Sequence, residues 1–308
     1  MRIVAALGGN ALIERGESPD ALIQQRHIRT AAEALAPLAR HHQLVVTHGN
    51  GPQVGLLALE SASDPALTRP YSLDVLGAET QGMIGYWLLQ ALQNTNPGRE
   101  VAGLITQTLV SVADPAFADP TKFVGPVYSE AEARSIASER GWTVKADGRR
   151  WRRVVASPTP LRVVETRLIR QLLDTGAVVI CAGGGGAPVV RNRHGELEGV
   201  DAVVDKDTTT ALLAEALDAD ILLLLTDVTA VETDYGTTQA RPINQATPAD
   251  LRALSFPSGS MGPKVDAACH FVELTGHTAA IGALSDIDAI LAGKAGTSIT
   301  PTGTRDTQ

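Results

Sequence analysis

Ile3-Val4-Ala5-Ala6-Leu7-Gly8-Gly9-Asn10 follows Met1-Arg2 directly: five aliphatic residues without polar alternation, stopped by two glycines. Such a run predicts a strand buried on both faces, ending in a tight turn. Five further runs repeat the pattern at Leu44–Thr47, Val101–Ile105, Ala177–Cys181, Ile221–Leu225 and Thr278–Ile281. Between them, apolar residues three and four apart predict helices over Ile28–Arg40, Val75–Gln93, Glu165–Asp174, Thr208–Leu217 and Lys264–Leu274. Strands alternating with helices imply βαβ units, and hence an α/β fold: a three-layer α/β/α sandwich with a mostly parallel central sheet. In such sheets ligands gather at the carboxyl ends of the strands.

One stretch breaks the rhythm. From about 110 to 162 the chain carries Pro115, Pro120, Pro126, Pro158 and Pro160, an Asp147-Gly148 turn, and the arginines 149, 150, 152 and 153. It is expected to be a small protruding, lid-like subdomain with a hairpin around Trp142–Val155, inserted into one domain spanning 1–308. The whole chain has 308 residues, 26 Lys plus Arg against 34 Asp plus Glu, and a net charge of −8. That balance argues against general binding to nucleic acid or anionic membrane. Two cysteines, Cys181 and Cys269, make neither a disulfide framework nor a zinc spacing. The first aliphatic run is too short for a secretory signal, and the longest, Ile221–Leu225, too short to span a bilayer. The expected address is cytoplasmic, with a frayed polar tail at Thr302–Gln308.

Four glycine-rich elements stand where strands end or a helix begins: Gly8-Gly9-Asn10-Ala11, His48-Gly49-Asn50-Gly51-Pro52-Gln53, Gly183 to Gly186, and Ser258-Gly259-Ser260-Met261-Gly262-Pro263-Lys264. Each could be a plain tight turn. Two of them on the first two strands, each with an asparagine amide, point instead to an anion held by backbone N–H groups at helix N-termini. Neither a Walker A pattern nor a dinucleotide fingerprint is present. Lysine is scarce, yet Lys206 sits in Asp205-Lys206-Asp207 before a helix and Lys264 opens another. Fixed ammonium groups suit the charge spread over a transferring phosphoryl group, whereas a lone helix-start salt bridge is the plainer reading of either alone. Thr226-Asp227, after a buried strand, would cap a turn or line a nucleotide pocket.

These residues together resemble carbamate kinases of the amino acid kinase superfamily. The resemblance is carried by Leu7 to Leu12, His48 to Gln53, Thr121-Lys122-Phe123-Val124-Gly125-Pro126, Arg152 to Pro158, Asp205-Lys206-Asp207 and Gly259 to Lys264, in order along nearly the whole chain. It includes the insertion, and Ala6-Leu7 stand where many sibling kinases place a lysine, so Lys206 would supply that charge. The resemblance implies a homodimer that interconverts ATP plus carbamate with ADP plus carbamoyl phosphate, using Mg²⁺. It implies that Lys206 and Lys264 grip the phosphoryl group, that Asp207 orients them, and that Lys122 reaches over the substrate from the lid. Gly8, Gly9, Asn10, Gly49, Asn50 and Gly51 would bind the phosphoryl or carbamate end in the N-terminal part. Asp227, Thr226, Met261, Gly262 and Pro263 would face the nucleotide in the C-terminal part, about 200–300. No protein metal ligand is implied.

Two other readings compete. A sibling kinase for an amino-acid carboxylate or nucleoside monophosphate is separated by a substrate panel. A nucleotide sensor without turnover would bind ADP or ATP and transfer nothing. The arginines 149–153 are expected to be a solvated hairpin face, His48 a structural hydrogen bond in its turn, and Cys181 packing. A general base is not required, because carbamate already carries a nucleophilic oxygen.

Overall fold

Along the strand Arg2–Leu7, neighbouring residues belong to different cores. Ile3, Ala5 and Leu7 pack with Ile28, Leu35 and Leu38 of the helix Ala21–His41 and with Ile84 and Leu88 of the helix Leu73–Thr95. Val4 and Ala6 pack on the other face, with Ile169 and Leu173 of Thr166–Asp174, Leu213 of Lys206–Ala216 and Phe271 of Met261–Thr275. Period-two alternation between two apolar faces makes this a central strand with helices on both sides. The computed structural model describes residues 1–9, 12–14, 16–256 and 261–302.

The main sheet runs in the order Gln245–Ala246, Thr297–Ile299, Thr278–Ala283, Ile221–Thr226, Arg2–Leu7, Gln43–His48, Val178–Ile180, Val101–Gly103. Every pair is parallel except Thr278–Ala283 with Thr297–Ile299. Leu7 stands opposite both His48 and Leu225, so three strands end level with one another. That common edge carries the glycine turns. Among the described residues, no helix is long and apolar enough to cross a membrane.

The sequence-expected elements are present with shifted ends. The first helix starts at Ala21, before its apolar stripe begins at Ile28, and it accommodates Pro37. Val101–Ile105 is cut short. The strand ends at Gly103, and Gln107–Leu109 joins a second sheet in the order Leu197–Gly199, Ala187–Arg191, Gln107–Leu109, Arg162–Val163. The helix Gly51–Ser63 lies outside the five periodic segments, although the glycine turn implies a helix start there. It begins at the glycine turn itself, with Pro52 in the first turn, where a missing N–H costs nothing.

Within the inserted stretch lies a separate three-stranded sheet, Lys122–Tyr128, Arg150–Val155 and Thr143–Asp147 in that spatial order, with the helix Glu130–Arg140. Ser129 and Glu132 form a capping box at the start of that helix, and Gly141 ends it at φ +66°. The hairpin turns at Gly148, φ +61°, between the paired Asp147 and Arg150. This small sheet packs against the helix Gly51–Ser63 where Gly55 meets Gly125. A Cβ on Gly55 would lie 2.6 Å from the Gly125 Cα. Around that contact Val124 and Val155 pack with Val54, Ala58, Leu73, Leu76 and Val203.

The arginine cluster is not a uniformly solvated face. Arg152 pairs with Asp147 at 3.1 Å and lies 5.5 Å from the Phe123 ring, while Arg153 is half-buried 4.4 Å from the Trp142 ring. Aromatic neighbours attract the guanidinium plane even where it is partly desolvated. Arg149 and Arg150 alone keep the exposed character expected of the whole run.

Candidate active site

Two helix N-termini converge at the edge where the strands end. Asp205 caps the helix Lys206–Ala216: its Oδ1 accepts from the backbone N–H groups of Asp207 at 2.9 Å and Thr208 at 3.1 Å. Lys206 and Asp207 therefore stand in its first turn. Lys264 stands in the first turn of Met261–Thr275, which packs against that helix. The Lys206 Nζ donates to Asp207 Oδ1 at 2.5 Å and the Lys264 Nζ to Asp207 Oδ2 at 2.9 Å. One carboxylate thus bridges two ammonium groups. Lys122 begins the strand Lys122–Tyr128 of the small sheet and donates to Asp205 Oδ2 at 2.8 Å. Three of the chain's five lysines share this spot with two aspartates, leaving one net positive charge.

Burial and charge oppose one another here. Burial alone would raise the Asp207 carboxyl, but the charges of Lys206 and Lys264 hold it below the usual carboxylate range. Burial likewise works against ionisation of Asp205. The charge and hydrogen bond of Lys122, the Thr208 amide and Lys206 outweigh it, and the group is held well below its ordinary value. Lys206 is pushed down, first by burial and then by Lys264, against the pull of Asp207. A partly desolvated, positively biased cluster of this kind receives an anion that brings its own negative charge.

The glycines of the first two turns have a different use from the expected one. The Gly8 amide donates to Leu225 O and the Gly49 amide to Leu7 O, each at 2.9 Å, so neither is an anion donor. Their value is closeness: a Cβ on Gly49 would sit 2.9 Å from the Gly9 nitrogen, and one on Gly8 3.1 Å from Leu225 O. Asn50 is buried, and its amide donates to the Thr80 hydroxyl at 2.8 Å. Gly9 and Gly51 have open space beside them, and Gly51 begins a helix. Asn10 lies outside the described residues, as do Gly259 and Ser260.

The third glycine run wraps the side chains of the second turn. A Cβ at Gly183 would strike the His48 ring at 2.3 Å, one at Gly184 the Asn50 amide at 2.1 Å, and one at Gly186 the Thr108 hydroxyl at 2.3 Å. His48 is buried, and its Nδ1–H donates to Gly49 O at 3.0 Å, the structural bond expected of it. Burial pushes its pKa down to about 4, helped by the charge of Lys206, so the ring is neutral. Behind the glycines, Gln81 holds Thr106, Thr106 holds the Ala182 amide, and Thr108 and Thr209 both donate to Gly185 O. Sequence reading missed this support. Threonine and glutamine on buried elements were its one visible sign.

Thr226 ends its strand beside Gly8, and its hydroxyl donates to Asp227 Oδ1 at 3.0 Å. Met261, Gly262 and Pro263 form the first turn that carries Lys264. Cys181 is buried, with its thiol raised by burial, and burial pushes Cys269 up to about 11. Neither is a thiolate at neutral pH, so neither is a nucleophile.

Among the described residues no group of three or more His, Cys, Asp or Glu is arranged to hold a metal ion. The carboxylates of the cluster already face lysines. Mg²⁺ needs few protein ligands when it binds through phosphates and water, and a site of this kind fits one that arrives on the nucleotide.

The amino acid kinase family model matches residues 1–282. The carbamate kinase of Rhizobium meliloti is 56% identical over 303 residues, 97% of this chain and 93% of the relative. That of Haemophilus influenzae is 51% identical over 301 residues, 97% of each chain. Among solved structures, carbamate kinase from Giardia lamblia bound to AMP-PNP superposes with a TM-score of 0.88 at 40% identity, covering 97% of this chain and 98% of the other. The citric acid complex of the same enzyme gives 0.90 at 39% identity, with the same coverage. With likeness of that extent in both sequence and fold, the chain belongs to the amino acid kinase family, among its carbamate kinases.

Proposed function

We infer that the chain catalyses reversible phosphoryl transfer between ATP and carbamate, giving ADP and carbamoyl phosphate. The observation that carries the reading is the bridge of Asp207 between Lys206 and Lys264, with Lys122 brought to the same helix start. In the forward direction a carbamate oxygen bonds to the γ-phosphorus while the bond to the β-phosphate oxygen breaks, and ADP leaves. The attacking oxygen is already anionic, so no residue need remove a proton, and catalysis consists of positioning and charge stabilisation. Lys206 and Lys264 would stabilise the equatorial oxygens, and Asp207 would keep both ammonium groups in place. Lys122 would approach from the lid.

The N-terminal part, with Gly9 and the helix start at Gly51, would take the carbamate end. Thr226, Asp227 and the Met261–Pro263 turn would line the nucleotide, which would be MgATP or MgADP. The lid would be an insertion in one domain. A homodimer and a cytoplasmic address rest on the resemblance and the composition, and sedimentation at two concentrations checks the dimer.

The deciding assay is ATP formation from ADP and carbamoyl phosphate with Mg²⁺. Turnover is expected, and Lys206→Ala should lower kcat by about 10²–10³-fold, the usual loss of one charge-stabilising donor. Full activity in that variant would remove Lys206 from the mechanism, and an inactive intact protein would remove the function.

A further inference from the structure

The Asp205 carboxylate serves two elements at once. Its Oδ1 accepts the Asp207 and Thr208 backbone amides and lies 3.3 Å from the Thr208 hydroxyl, so the carboxylate plane is fixed by the helix start. Its Oδ2 is fixed in consequence, and that atom receives the Lys122 ammonium from a strand 83 residues away in sequence. Lysine has a long flexible stem and no planar fork to orient it, so an ammonium on the rim of a lid has no defined place by itself. We propose that Asp205 is the positioning residue for Lys122, tying the lid lysine to the helix N-terminus that carries Lys206 and Asp207. The assignment rests on the phosphoryl-transfer reading for its effect on rate, while the pairing itself stands independently of it. Burial leaves the pair about one-quarter exposed, close enough to solvent for Lys122 to exchange its partner for an arriving anion.

The test is a double-mutant cycle on ATP formation with Asp205→Asn, Lys122→Met and both together. Asparagine caps a helix as well as aspartate does, so Asp205→Asn keeps the helix start and removes the charge that draws Lys122. It is expected to lower kcat/KM by about tenfold to a hundredfold with an unchanged melting temperature, as misplacement of a positioned group does. In the Lys122→Met background it should add less than twofold, because there is no longer a lysine to place. Losses that multiply in the double variant, or an Asp205→Asn enzyme within twofold of the parent, would overturn the proposal. Amide hydrogen exchange in the strand Lys122–Tyr128 without ligand gives a reading independent of activity. Both single variants should raise it by a similar factor of at least about threefold. Unchanged exchange in Asp205→Asn overturns the pairing. A parent protein that exchanges as expected but forms no ATP overturns only the functional reading.

Discussion

His48 sits at the end of the second strand with its ring against Gly183, and it is neutral because it has no water to ionise into. In the unfolded chain a histidine takes up a proton near pH 6.5, whereas here it does so only near pH 4. The unfolded state therefore binds more protons between those values. The stability associated with His48 is complete above pH 6.5 and falls away as the pH drops towards 4. From the shift, the loss between pH 7 and pH 5 is about 2 kcal/mol. His48→Gln can keep the hydrogen bond to Gly49 O without titrating, so its urea midpoint should fall less over that interval. His42, also shifted down by burial, is present in both proteins and drops out of the difference. Asp205 and Asp207 have depressed values, so their contributions disappear only below about pH 4, outside the window.

At the scale of an element, the Gly183 to Gly186 run shows why two glycines with nearly the same φ need not be equally replaceable. Gly184 and Gly148 have φ of +64° and +61°, a conformation that costs an L-residue about 1 kcal/mol. Beside Gly148 there is open space, while beside Gly184 stands the Asn50 amide, itself tied to Thr80. Gly148→Ala should cost about 1 kcal/mol, and Gly184→Ala more than about 3 kcal/mol, because the Asn50 network must break as well. Denaturant melts of the two variants provide the comparison. The run was legible in the sequence as a loop, but what it wraps was not, since His48, Asn50 and Thr108 come from distant elements. The same limit explains Asn50 and the amides of Gly8 and Gly49. A glycine turn after a strand reads alike whether its N–H groups face a ligand or a neighbouring carbonyl. The six buried runs and five periodic segments were legible because each is a local pattern. The extent of the helix Gly51–Ser63 was hidden by the glycine motif at its start, and the cut in Val101–Ile105 by Thr106, whose partner Gln81 lies on another element.

Across the whole molecule, a net charge of −8 surrounds a cluster in which three lysines meet two aspartates. That was the most legible part of the site, because scarcity made each lysine conspicuous and the helix starts supplied the placement. Its sense could be read from the sequence; its partners, above all the pairing of Lys122 with Asp205 across 83 residues, needed the fold. Scarcity has a further consequence for chemical footprinting. Only Lys145 and Lys294 lie outside the cluster: Lys294 is exposed and Lys145 is half-buried in a pair with Asp119, whereas Lys206 and Lys264 are almost enclosed by their surroundings. An amine-acylating reagent should modify Lys294 first, the ion-paired Lys145 and Lys122 next and Lys206 and Lys264 last, resolved by peptide mass spectrometry. Added ADP should slow the three cluster lysines and leave Lys145 and Lys294 untouched. In this chain, the rate of lysine acylation would serve as an occupancy meter for the proposed phosphate site.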